Sequence, residues 1–214
     1  MSSSAKENIL KKIRKALSQP VPLPFPNSEG TNMLVQPSSQ EPEIEFAEQF
    51  TKLQGKFIYC INHAELASQL NNLAAHMGWG KIYCREEKIK QVLAENLFDN
   101  FSHDDLSTCD ASITGCEYLV ARTGSIVMSA AQESGRTVSV YAPVHICIAY
   151  MNQLVYDVKD ALLLLKEKYG NNLPSLITFA TGPSRTADIE KTLVVGVHGP
   201  GEVYVFLIEA KSPY

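Results

Sequence analysis

The sequence contains no apolar run that approaches the ~20 residues of a membrane-spanning helix. Its start, MSSSAKENILKKIRKAL, has no apolar core of the kind a signal peptide needs. A cytoplasmic protein is therefore expected. An excess of basic charge is also missing: 19 Lys and Arg face 23 Asp and Glu, for a formal net charge of −4. That balance argues against non-specific nucleic-acid binding, which needs a basic surface. The five cysteines, Cys60, Cys84, Cys109, Cys116 and Cys147, are scattered and form no Cys-x-x-Cys pair. A disulfide framework is not expected, nor is an iron–sulfur cluster or four-cysteine zinc site built by this chain alone. Cys60, Cys84 and Cys147 sit in strand-like apolar runs and read as small buried hydrophobes. Cys109 and Cys116 lie nearer a loop, and burial is the better reading there too. A Walker loop is absent, and so is a Gly-x-Gly-x-x-Gly dinucleotide fingerprint. His63, His76, Asp104 and Asp105 show no metal-ligand spacing, and His103-Asp104-Asp105 reads as a solvated loop. No bound cofactor or metal is implied by any motif.

What is present suits one globular domain with an appended arm. The chain has 214 residues, 45% hydrophobic and 20% charged, enough to bury a sizeable core. Residues 1–18 form the arm. Within it, residues 4 to 17 predict an amphipathic helix, with Ser4 and Glu7 at capping-box spacing. Ile9, Leu10, Ile13 and Leu17 share one face, and Lys6, Lys11, Lys12, Arg14 and Lys15 surround them. Such a helix can lie on a membrane or bind a partner. Its short apolar face without aromatics favours packing on its own domain or on a second subunit, which leaves a homo-oligomer open. Residues 19–43 form a linker. Six of the eleven prolines fall between residues 18 and 43, and alternating proline favours an extended segment.

Residues 44–214 alternate strand and helix signals. Ile44 to Leu53 suggests a helix, and Lys56 to Ile61 a strand. Asn62 caps a helix that Gly78 stops. Lys81 to Cys84 reads as a strand and Glu86 to Leu97 as a helix. Short β-like runs then follow at Ala111 to Thr114, Ser125 to Ser129, Val138 to Tyr141 and His145 to Tyr150. Asp157 caps a helix through Tyr169. Leu176 to Ala180, Leu193 to Val197 and Val203 to Ile208 are strands. The alternation predicts an α/β fold: a largely parallel sheet with helices on both faces and an antiparallel insertion in the middle.

The densest set of special residues lies in TGPSRTADIEKTLVVGVHGPGEVYVFLIE, residues 181–209. An apolar strand runs into Thr181-Gly182-Pro183-Ser184 and then into an expected helix start. Gly182 permits a sharp turn and close approach of a ligand. Ser184 or Thr186 can cap the helix, whose free N–H groups attract an anion. Arg185 can clamp a carboxylate or phosphate. Asp188 and Glu190 are two apart, so they do not share a helix face. One of them would face the site while the other is solvated. His198, before Gly199-Pro200-Gly201, stands at a strand end as a candidate acid/base or ligand contact. Thr123, Gly124 and Ser125 precede a strand, and their hydroxyls are candidate ligand contacts. His145 begins another strand, where a half-buried, hydrogen-bonded histidine is expected. The candidate catalytic residues are thus His198, Asp188 and Glu190. The candidate ligand residues are Thr181, Gly182, Ser184, Arg185, Thr186, Gly199, Thr123, Gly124, Ser125 and His145.

The stretch GPSRTADIEKTLVVGVHGPGEVYVFLI, residues 182–208, resembles the C-terminal signature of the lactate utilization protein C family (LutC/YkgG, LUD domain). The upstream ARTGSIVM and GRTVSVYAPVHICIA resemble its second block, and the basic N-terminal helix resembles the family's usual start. The resemblance implies a fold similar to the NagB/RpiA/CoA transferase-like group. It also implies a part in oxidising L-lactate to pyruvate beside two partners, one carrying iron–sulfur clusters and one cysteine-rich. The redox centres would then lie in the partners, and this chain would bind a small anionic ligand. One position departs from the family: Arg122 stands where an acidic residue usually precedes the Thr-Gly. Two alternatives stay open. One is a stand-alone enzyme for a phosphosugar, nucleotide or CoA-type ligand, with Glu117 or Glu202 as the glutamates nearest a strand end. The other is a non-catalytic scaffold or regulatory subunit that works through the arm.

Overall fold

Five short apolar runs from opposite ends of the chain come together as one parallel sheet. The computed structural model describes residues 5–18, 40–102, 105–187 and 193–210. In chain order these form helix α1 (Ala5–Leu17), helix α2 (Pro42–Lys52), strand β1 (Lys56–Cys60), helix α3 (His63–Met77), strand β2 (Ile82–Cys84) and helix α4 (Glu87–Glu95). Then come strands β3 (Ala111–Thr114), β4 (Tyr118–Val120) and β5 (Ser125–Ser129), the one-turn helix α5 (Val138–Tyr141), and strands β6 (Val144–Tyr150) and β7 (Leu154–Val155). Helix α6 (Val158–Tyr169) and strands β8 (Ile177–Ala180), β9 (Arg185–Ala187), β10 (Leu193–Val195) and β11 (Glu202–Ile208) complete the chain.

Helix boundaries follow from local chemistry. Pro42 lies in the first turn of α2, where its missing N–H costs nothing. The helix therefore begins inside the stretch read as linker, whose residues 19–39 lie outside the described residues. The Asn62 side chain accepts from the Glu65 N–H, and Gly78 closes α3 at φ 70°. Asp157 and Asp160 form a reciprocal capping box on α6. Helix α1 lies in a unit of its own, residues 1–37, with Ile9, Leu10 and Ile13 exposed. Ser4 is outside the described residues. No helix among the described residues is long and apolar enough to cross a membrane.

The parallel sheet has the order β1-β11-β6-β3-β2, with β11 hydrogen-bonded to β1 on one side and β6 on the other. Its residues are mostly apolar on both faces, as a sheet covered on both sides requires. Ile146, Ile148, Tyr150, Tyr204, Phe206 and Ile208 pack with α3 and α4 residues such as Leu66, Leu70 and Leu93. The alternate residues Cys147, Ala149, Val203, Val205 and Leu207 pack on Phe46 and Phe50 of α2 and on Leu119, Ile126 and Met128. Those last three belong to a second sheet, β7-β4-β5-β8, in which β5 runs antiparallel to β4 and β8. Helix α6 covers the outer face of that sheet through Ala161 and Leu165.

The expected antiparallel part is present as a full layer that also takes in β8. Two expectations are corrected. Val138–Tyr141 is a helical turn, because a four-residue apolar run carries no decisive period. Residues 185–187 form strand β9, antiparallel to β10, where a helix start was expected. Pairing with a strand six residues further on overrides the local capping signal there. All five cysteines are buried and free, and burial pushes the Cys60 and Cys84 thiols up to about 12.

Phe206 is 1% exposed on β11, an interior strand of the parallel sheet. Phe206→Ala should lower unfolding free energy by about 3–5 kcal/mol. A shift of the urea midpoint at constant slope would measure it, and a change below about 1 kcal/mol would contradict this packing.

Candidate functional site

Two turns meet at the amino-terminal ends of β6 and β11 and shape a cavity of about 270 Å³. One turn, Thr181 to Ser184, leaves the carboxyl end of β8. The other, His198 to Pro200, leads into β11. Backbone bonds hold them together: Ser184 N–H donates to Pro200 O at 2.9 Å, and Gly196 N–H to Ser184 O at 3.0 Å. A Cβ on Gly199 would stand 2.9 Å from Ser184 Cβ, so only glycine permits this contact. The second turn is also tied to β6, since Gly201 N–H donates to Pro143 O at 2.9 Å. Gly182 has φ 81°, and a Cβ there would meet Leu53 O at 2.7 Å. Helix α5 supplies Ser139 and Val140 to the wall, and β5 supplies Met128.

The structure brings together Thr181, Gly182, Ser184, His198, Gly199 and His145 of the expected set. Ser125 and Thr123 lie behind them, joined by hydroxyl contacts. Thr123 Oγ1 is 2.7 Å from Ser125 Oγ, which is 2.8 Å from Thr181 Oγ1. Gly124 has a different task. Its φ is 60°, and a Cβ would lie 2.6 Å from Phe50 N, so it lets α2 approach the mixed sheet. Arg185 does not line the cavity; its Nη2 donates to Leu53 O at 2.6 Å. Thr186 sits on β9 opposite Val194. Asp188 and Glu190 lie outside the described residues, as do His103 and Asp104. Arg122, at the position of the family's acid, ion-pairs with Asp157 at 2.5 Å and so steadies the cap of α6. Ser139, Val140 and Met128 were missed, because the turn that carries the first two reads as a strand.

The cavity is built of hydroxyls, backbone and imidazole. Among the described residues that line it there is no Lys or Arg. His145 is 1% exposed and bonded to Thr114, with Nε2 2.8 Å from Oγ1. Burial holds its ring down at about 4, so it is neutral. His198 is exposed, and with Gly199 and Val140 it also borders an adjoining hollow of about 450 Å³. Such a wall can orient a small polar ligand by hydrogen bonds and offers one solvent-facing imidazole for proton transfer. The two glutamates nearest a strand end, Glu202 and Glu117, are both engaged. Glu202 accepts from Lys56 at 2.6 Å and Tyr204 at 2.8 Å, and Glu117 is bonded three times over. No group of His, Cys, Asp and Glu among the described residues could hold a metal ion.

The family model described as the LUD domain matches residues 44–208. An uncharacterized protein of Neisseria meningitidis serogroup B is 25% identical over 96% of this chain and 94% of its own length. A lactate utilization protein C from Anoxybacillus flavithermus is 30% identical over 72% of this chain and 74% of its own length. For that of Bacillus subtilis the identity is 35%, and the match spans 46% of this chain and 42% of the relative. A crystal structure of a DUF162 family protein from Deinococcus radiodurans aligns with TM-score 0.58 at 20% identity, over 78% of this chain and 96% of that one. At that identity the likeness concerns the fold.

The buried, neutral His145 makes a pH prediction. The unfolded chain protonates this ring below about pH 6.5, and the folded chain only below about pH 4. Stability should therefore fall as pH drops through that window, by about 3 kcal/mol in total from this group. Urea titrations of wild type and His145→Gln at pH 7, 6 and 5 would test it. Equal pH slopes for the two proteins would refute the assignment.

Proposed function

The chain belongs to the LUD-domain family, and from that premise we propose that it is a component of an L-lactate utilization system. The observation that carries the proposal is the match to lactate utilization protein C over 72% of this chain. In this system L-lactate loses two electrons and two protons as pyruvate forms. The electrons pass to partner proteins, one with iron–sulfur clusters and one rich in cysteine. The scattered, buried cysteines of this chain fit that division, since none is set out as a cluster ligand.

The contribution of this chain is a small-ligand site in the cavity at the amino edge of the parallel sheet. Ser184 and Thr181 hydroxyls and the backbone of Gly182 and Gly199 are its hydrogen-bonding wall. His198 is the candidate proton acceptor, exposed at the mouth of the cavity. The ligand is held there by hydrogen bonds and not by a helix terminus, because residues 185–187 are a strand.

Growth on L-lactate tests this. A strain lacking the protein should fail on L-lactate as carbon source, and the wild-type gene should restore growth. His198→Ala removes an acid/base group worth about a hundredfold or more in turnover, so it should not restore growth at equal expression. Unimpaired growth of the deletion strain would sink the lactate role. Full rescue by His198→Ala would sink only the assignment of His198.

A further inference from the structure

The opposite edge of the parallel sheet holds a second cavity, of about 260 Å³, with a different chemistry. In open parallel sheets ligands bind outside the carboxyl ends of the strands. Here three such ends converge. Glu86 follows β2, Cys116 and Glu117 follow β3, and Gln153 follows β6. The far wall is the loop Ala131–Glu133 and the last turn of α6, with Lys168 and Tyr169.

Three glutamates, Glu86, Glu117 and Glu133, and two lysines, Lys88 and Lys168, border it. Glu117 and Glu86 differ in state. The Glu117 side chain is 1% exposed. It accepts from Lys168 Nζ at 2.7 Å, Ser129 Oγ at 2.5 Å and Tyr169 OH at 2.6 Å. Burial alone would raise this carboxyl, but the bonds from Lys168, Ser129 and Tyr169 outweigh it and hold it below the usual range. Glu86 accepts from Gly115 N–H at 2.8 Å. Burial raises its carboxyl and outweighs the bonds from Gly115 and Ser134, which pull it down; the Glu133 and Glu117 charges add a smaller rise. Opposed shifts within one cavity are the mark of groups set up for different tasks. An ion-pair network bracing α6 would account for Glu117, Lys168 and Tyr169. Outside that network, Glu86 also borders the open space, held by the Gly115 N–H.

We propose that this carboxyl-edge cavity binds a small hydroxycarboxylate, its carboxylate on Lys168 and its hydroxyl on Glu86. An ammonium has three donors, and Glu117 takes one of those on Lys168. The Lys168 side chain is 55% exposed, so its head can meet an incoming anion. Glu117 is a positioning residue: it fixes where that head stands. Glu86 accepts from the ligand hydroxyl, a charge-assisted bond that a ligand without the hydroxyl cannot make. The volume suits a metabolite of a few carbons, being below that of sites for drug-sized molecules. The choice of L-lactate as first probe rests on the proposed function; the cavity and its chemistry do not.

Calorimetric titration of the purified full chain tests the proposal, with L-lactate, glycolate and propionate as probes. Propionate has the carboxylate but no hydroxyl. Wild type should bind the two hydroxy acids more tightly than propionate, by about tenfold. Glu86→Gln should shrink that preference, leaving propionate binding unchanged. Ala131→Trp, at an exposed rim position, should block all three probes while the thermal midpoint stays within a few degrees. Absence of binding by wild type at tens of millimolar would overturn the proposal. So would binding that survives Ala131→Trp, or a hydroxyl preference that survives Glu86→Gln. Each of these three failures leaves the lactate role standing if growth on L-lactate still requires the protein.

Discussion

Strand β11 is the constraint on which the rest of this structure depends. It is the last strand of the chain, and it lies between β1, the first, and β6. Every residue from Val203 to Ile208 is buried, and successive side chains serve opposite cores. Only a run apolar at every position can do this, and a one-residue slip would exchange the two faces. The sheet therefore closes only when residues some 150 positions apart in sequence meet, as Lys56 and Tyr204 do. Contacts of that range are slow to form, because the loop entropy is lost before the strand pairing is gained.

The amino-edge cavity inherits its geometry from that strand. The turn His198–Pro200 enters β11 directly, and its last bonds go to Pro143, just before β6. One wall is thus fixed by two buried strands. The other wall, Thr181–Ser184, comes from the carboxyl end of β8 in the second sheet and leans on α2 through Leu53. Gly182, Gly199 and Gly124 are each needed because another backbone or side chain passes within contact distance of where a Cβ would be. The Gly-Pro-Ser and His-Gly-Pro-Gly segments of the sequence are the trace of this close approach, and the hydroxyls and imidazoles around them form the site.

Much of this was legible before any coordinates. The caps at Asn62, Gly78 and Asp157 announce their helices by local chemistry alone, and β11 by its unbroken apolar run. Five of the ten expected ligand residues do converge, along with His198, because glycine and proline turns between apolar runs mark strand ends. What could not be read is pairing. Whether β8 joins one sheet or the other depends on Ile126 to Ser129 lying opposite it. Arg185–Ala187 is a strand because Leu193–Val195 lies beside it. Arg185 shows the same limit at the level of one side chain: an arginine in a glycine-rich turn suggests an anion, and a carbonyl of α2 occupies it. Glu117 was visible as a glutamate at a strand end, but its three bonds come from residues 12 to 52 positions away.

The replacement of one helical layer by a mixed sheet also explains why the carboxyl-edge cavity is the charged one. Helix α6 packs outside the mixed sheet, and its carboxyl end reaches the edge where β2, β3 and β6 terminate. A helix carboxyl end favours a cation, and Lys168 stands in its last turn. A carboxylate as buried as Glu117 is tolerable only when paired and fully hydrogen-bonded, and Lys168, Ser129 and Tyr169 meet that condition. Burial of Glu117 and placement of Lys168 are therefore one event, which leaves an oriented ammonium at the cavity wall. The amino-edge cavity is given no such partner by a helix end and holds a neutral histidine and hydroxyls instead. The two cavities at opposite ends of the same parallel strands thus differ in chemistry through the way the outer layers are stacked.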